Sequence, residues 1–172
     1  NITKAPINDV RVRKALAHGI DRQGLITFLG RDIAQPETSA IAQGYIGHTR
    51  DIPQYPHDIA RARALLAEAG HPEGFAMEVV MSNSNLYLPI MQVIQDQWRQ
   101  IGVRVNLRVV DHPTYHRMIR QDLNPVVLYQ ASRYPRTAQV YLVQFYSRDA
   151  AIGRSTAVTN FSHYGGAIPG VD

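Results

Sequence analysis

His112 and His116 stand four residues apart, with Asp111 beside them, and on a helix that spacing brings two imidazoles to one face, as a metal site requires. The glutamate that lies between the histidines of a zinc-protease helix is missing, so the pair reads as solvated or capping histidines and no metal is assigned. Asp111 reads as a helix cap. Further along, Arg133, Tyr134, Pro135 and Arg136 set two guanidiniums beside a phenol ring. Such a group suits the gripping of a carboxylate or another anion, although a solvent-exposed basic turn would have the same composition. His163, within NFSHY, is either a ligand contact or a core histidine with its hydrogen bonds met. Cysteine is absent, which removes thiol nucleophiles, thiolate ligands and disulfides together. Neither a Gly-rich phosphate loop nor a Gly-x-Ser-x-Gly elbow occurs. No catalytic residue and no cofactor are therefore assigned.

The elements that must position these residues follow from periodicity. Residues 9–20 place Val12, Leu16 and Ile20 near one face of a helix capped by Asn8 or Asp9. Asp21 caps a second helix that ends at Gly30, and Asp58 a third through Ala69, where Ala62, Leu65 and Leu66 form an apolar stripe. Between them, residues 31–56 lose all periodicity among prolines and glycines and read as a long functional loop. Residues 75–81 read as a buried strand, 87–101 as a helix with Ile90, Val93, Ile94, Trp98 and Ile101 inward, and 103–109 as an alternating strand. A short helix over 113–120 and a strand over 126–129 complete the order strand, helix, strand, helix, strand. Tyr141, Leu142 and Phe145 recur at helical spacing and read as core. That order predicts an α/β fold with a mostly parallel central sheet flanked by helices. Ligands are then expected beyond the carboxyl ends of the strands, at 82–85, 111–114 and 130–137. This rim contains Asn83, Gln130, Arg133, Tyr134 and Arg136.

The 172 residues, 45% of them hydrophobic and 19% charged, fit a single domain with a sizeable core. The net charge of +4 is spread along the chain, whereas a nucleic-acid footprint gathers on one element; no nucleic-acid partner is expected. No apolar stretch is long enough to span a membrane, and no leader opens the chain. Its start at Asn1 reads as a processed product or an excised piece.

The segment KAPINDVRVRKALAHGIDRQGLI resembles the N-x-x-x-P-hydrophobic-x-D-x-R-V-R-x-A-hydrophobic-x-x-x-I-D-R signature of family 5 extracellular solute-binding proteins, the peptide, oligopeptide and nickel class that serves ABC importers. Asp9, Arg11, Val12, Arg13, Ile20, Asp21 and Arg22 carry the match. YPHDIARARALLAEAGHPEGF is similar to the family's Y-x-x-D-x-x-K-A-x-x-L-L-x-E-A-G-Y-P-x-G-F segment, and QVIQDQWRQIGVRVNL to the helix and I-G-V-x-V strand that follow it.

The resemblance implies one lobe of a two-lobed periplasmic-binding-protein-like fold, with residues 1–172 an incomplete second lobe. The first lobe and the closing C-terminal segment lie outside the chain, which leaves apolar surface through which it can self-associate. It further implies a periplasmic or extracytoplasmic protein, associated with the membrane through the importer, that captures a small solute or peptide between its lobes and passes it to ABC permease subunits. Lobe closure, stabilised by the bridging ligand, is the mechanism. Two alternatives stay open: an autonomous α/β enzyme, and a ligand-sensing module of a signalling receptor.

In the peptide-binding members a G-W-x-x-D-Y-x-x-P turn holds the ligand's ammonium group with its acidic residue. This chain has Arg133 at the acidic position and Gln130 at the tryptophan position. A buried guanidinium facing an ammonium costs several kcal/mol, so the departure points toward an anionic ligand. The expected binding residues are Arg133, Tyr134, Arg136, Gln130 and Asn83.

Overall fold

Four helices start where an aspartate accepts an amide of the first turn. Asp9 Oδ1 accepts from the Arg11 amide at 2.7 Å and opens α1 (Val10–His18). Asp21 takes the Gly24 amide at 2.9 Å and opens α2 (Arg22–Leu29), and Asp58 takes the Arg61 amide at 2.8 Å and opens α3 (Ile59–Glu68). These bonds satisfy donors that a helix N-terminus otherwise leaves unmet. The computed structural model describes residues 1–30, 32, 34–37, 39–130, 136–152 and 159–165. Among them, residues 34–56 contain no helix or strand, as the sequence predicts.

After α3 the chain alternates: β1 (Phe75–Ser82), α4 (Leu88–Arg99), β2 (Val103–Val110), α5 (His112–Ile119). Strands β1 and β2 run parallel in unbroken register, from Phe75 opposite Val103 to Ser82 opposite Val110. The pair enters this register side by side at Gly74 and Gly102, whose φ angles are 76° and 85°. A Cβ on Gly74 would stand 2.0 Å from the Gly102 carbonyl oxygen, so backbone closeness and the left-handed conformation both require glycine. The core lies where α1, α3, α4 and α5 close on the strands, around Val12, Leu66, Val79, Met91, Trp98 and Tyr115. Trp98 donates its indole N–H to the Leu16 carbonyl at 3.0 Å, which locks α4 to α1 as well as filling space. In α4 the fully buried residues are Met91 and Trp98, while Ile90, Val93 and Ile94 are half-buried. The inward face is thus turned slightly from the periodicity reading.

The architecture is α/β with a parallel sheet flanked by helices. One element differs from expectation. Residues 126–129 form no strand, and the sheet holds two strands among the described residues. The cause is local. Asn124 accepts from the Val80 amide at 2.9 Å and donates to the Val80 carbonyl at 3.1 Å, so a side chain occupies the edge of β1 where a ladder would begin. Pro125 has no amide proton to offer. The Leu128 carbonyl is taken by the Tyr115 hydroxyl. Val126, Val127, Leu128 and Tyr129 still pack against the core, which accounts for their apolar sequence without a ladder.

The last helix, α6 (Ala138–Phe145), contains no fully buried residue; Leu142 and Val143 are 48% and 55% exposed. Tyr141 and Phe145 are half-buried and face a cavity. The expectation that Tyr141, Leu142 and Phe145 are core is therefore corrected: Tyr141 packs edge-on against Tyr45 and Phe145 against Tyr129, while Leu142 stays exposed.

Candidate functional site

Where β1 and β2 end, the backbone turns outward and carries polar residues with it. Ser82 is fully buried, and its hydroxyl lies 2.9 Å from His112 Nδ1. Asn83 follows. Its amide continues the ladder to the Val110 carbonyl at 2.8 Å, and its exposed side chain makes no hydrogen bond to a described residue. Asp111 caps α5 by accepting the Thr114 amide at 2.9 Å. That bond holds the Asp111 carboxyl below the usual carboxylate range. Its capping role is the one the sequence suggested.

His112 begins α5 and His116 stands one turn later, their Nε2 atoms 3.1 Å apart and their rings nearly perpendicular. Burial lowers the His116 pKa, helped by His112 and by the charge of Arg120. Aromatic edges surround the pair: Tyr87 against His112, and Tyr115 and Tyr129 against His116. Tyr115 is wholly buried, and burial raises its phenol well above the ordinary tyrosine value. Its hydroxyl fastens α5 to the 126–129 segment.

Gln130 lies exposed at the edge of this cluster. Its amide donates to the Tyr87 hydroxyl at 3.3 Å and its side chain to the Leu86 carbonyl at 2.9 Å. Arg133 and Tyr134 fall outside the described residues. Arg136 is exposed, with its guanidinium 5.9 Å from the centre of the Tyr45 ring. Its carbonyl accepts from the Ile46 amide at 3.0 Å, and the Ala138 amide returns a bond of 2.7 Å to Ile46. The long loop is thereby stitched to the segment that starts α6, a contact that no short-range sequence pattern announces. The neighbouring cavity, about 350 Å³, is lined by Val127, Tyr129, Tyr141, Phe145, Phe161 and Ser162. It is an aromatic recess opening beside the rim. Gln130 and Asn83 thus lie near the strand ends, with Arg136 across the segment joined to the loop.

His163 bonds Asp122 Oδ1 through Nε2 at 3.0 Å, so of its two sequence readings the structure displays the partnered histidine. Asp122 and His163 both have positive φ, at 57° and 62°. Sequence reasoning missed Ser82, Tyr87 and Tyr129 as neighbours of the histidine pair; the polar Ser82 ending an apolar strand was the available signal.

Comparison with known proteins places this geometry. Residues 1–151 match the family model described as bacterial extracellular solute-binding proteins, family 5 middle. The glutathione-binding protein GsiB of Salmonella typhimurium is 34% identical over 112 residues, 64% of this chain and 22% of that protein. The binding protein MoaA of A. tumefacien R10, solved with mannopinic acid, is 40% identical and superposes with a TM-score of 0.91 over 96% of this chain and 33% of its own. The periplasmic binding protein DppA of Helicobacter pylori, solved with the peptide STSA, shares the fold at 22% identity, with a TM-score of 0.84 over 93% of this chain and 30% of its own. The chain thus spans between about a fifth and a third of these relatives. With more than four-fifths of its length inside the family model, the chain belongs to the bacterial extracellular solute-binding proteins of family 5.

Proposed function

We propose that this chain forms part of one lobe of a two-lobed receptor that captures an anionic solute outside the cytoplasm and delivers it to ABC permease subunits in the membrane, without chemical turnover. The carrying observation is the match of residues 1–151 to the family; the arginine at position 133, where the resemblance expects an acidic residue, supports the anionic choice. Arg133 and Arg136 supply positive charge, Tyr134 an aromatic wall, and Gln130 and Asn83 polar contacts at the rim. Mannopinic acid in MoaA and glutathione, the named ligand of GsiB, both bear carboxylates, which supports the anionic reading. Closure of a second lobe over this rim would desolvate the ligand and strengthen each charge-assisted bond. The exposed Leu142 and Val143 support self-association of the isolated chain, to be read by sedimentation velocity.

The test is calorimetry on the intact receptor with acidic, neutral and cationic solutes, repeated with Arg133→Asp. Binding of the acidic class, weakened by about 2–5 kcal/mol in the variant, is the expected outcome. An unchanged ligand preference in Arg133→Asp would remove that turn from solute selection.

A further inference from the structure

We propose that His112 and His116 form a two-imidazole site for a divalent transition metal ion at the strand-end rim. Spacing alone left them as capping or solvated histidines. The structure removes the capping explanation, because Asp111 supplies the cap, and it gives each half-buried ring a partner within the protein. Their Nε2 atoms converge at 3.1 Å. Two imidazole nitrogens each about 2.0–2.1 Å from one ion, at tetrahedral or right angles, lie roughly 2.9–3.4 Å apart. The separation suits that bite; binding an ion replaces the hydrogen bond between the two Nε2 atoms, with the His116 proton moving to Nδ1 and both rings rotating to aim their Nε2 lone pairs at one point.

Ser82 supports the same reading. Its hydroxyl sits 2.9 Å from His112 Nδ1, the nitrogen opposite the one offered to a metal, and is itself held by the Ser84 amide at 3.1 Å. With Nδ1–H donating to Ser82, His112 presents Nε2 as a lone pair, the outer-shell arrangement that orients metal-binding histidines. Tyr87 and Tyr129 limit ring rotation from either side. Among the described residues no third His, Cys, Asp or Glu completes a group of three, so water or an exogenous ligand fills the remaining positions. An all-imidazole protein set favours Cu²⁺, Ni²⁺ or Zn²⁺ over Mg²⁺ or Ca²⁺.

The experiment titrates the chelator-treated 172-residue chain with Cu²⁺, Ni²⁺, Zn²⁺ and Mg²⁺ by calorimetry. The expected result is one saturable site for the transition ions and none for Mg²⁺. The site should be lost in His112→Asn and in His116→Asn, kept in His57→Asn, and weakened about tenfold in Ser82→Ala. Should a histidine variant unfold, electron paramagnetic resonance of the Cu²⁺-loaded wild type decides through nitrogen hyperfine coupling, and NMR through broadening centred on the His112 and His116 rings. Absence of saturable binding in the wild type, or broadening centred on other histidines, overturns the proposal.

Discussion

Asn124 binds Val80 twice, accepting its amide hydrogen at 2.9 Å and donating to its carbonyl at 3.1 Å, with the asparagine only 4% exposed. One side chain thus satisfies both backbone groups of a buried strand residue. Asn124→Ala leaves them unmet and should lower stability by about 2–3 kcal/mol, measured by urea unfolding. Asn124→Asp keeps the acceptor but sets a carboxylate against the Val80 carbonyl. It should be less stable than wild type at neutral pH and recover part of the loss in mild acid, where the protonated carboxyl can donate.

Tyr115 joins α5 to the rim segment through a single hydroxyl. Tyr115→Phe preserves the packing and removes the bond, so a loss of about 1 kcal/mol is expected. Amide exchange should quicken at 126–130 while β1 and β2 keep their protection. Equal acceleration in the strands would show that the hydroxyl supports the whole core.

Asp9 gives a pH dependence with a definite sign. Its hydrogen bonds to the Arg11 side chain and amide lower its pKa to about 2 from the ordinary 3.8. The stabilisation is complete above about pH 4 and is lost as the pH falls toward 2, because the unfolded chain takes up this proton first. Urea midpoints between pH 5 and 2 should therefore fall more steeply in wild type than in Asp9→Asn.

Solute affinity should be far lower for the 172-residue chain than for the intact receptor, since a cleft needs two walls. Each 1.4 kcal/mol of lost contact is about a tenfold change. Calorimetry giving equal affinities would mean that the cavity beside α6, rather than an interlobe cleft, holds the ligand.

Much of this fold is legible because its signals are local. Asp9, Asp21, Asp58 and Asp111 mark helix starts, and each performs the expected bond. The parallel pairing of β1 with β2 follows from apolar runs separated by an amphipathic helix. The failures are tertiary. Periodicity sees that 126–129 is apolar but not that Asn124 has already taken the edge of β1. It sees helical spacing in Tyr141 and Phe145 but not that both rings stay half-buried along a cavity shared with Tyr129. At the site, the rim was placed from strand ends, whereas the Ser82–His112 contact joins residues 30 apart in the chain and has no sequence period to reveal it.

The paired bonds between Ile46 and the Arg136–Ala138 segment also bear on the order in which the molecule assembles. From α3 to α5 the chain forms a contiguous series whose partners are near in sequence, so that unit can condense early. The Ile46 stitch closes a loop of about ninety residues and repays its entropy only once that unit exists to brace it. The contact of Ile46 with Arg136 and Ala138 is then the last part to set and the first to loosen, as sub-global opening draws on the least supported contacts. A captured solute would be felt there first, as slower hydrogen exchange at the Ile46 and Ala138 amides, while the strands register little change.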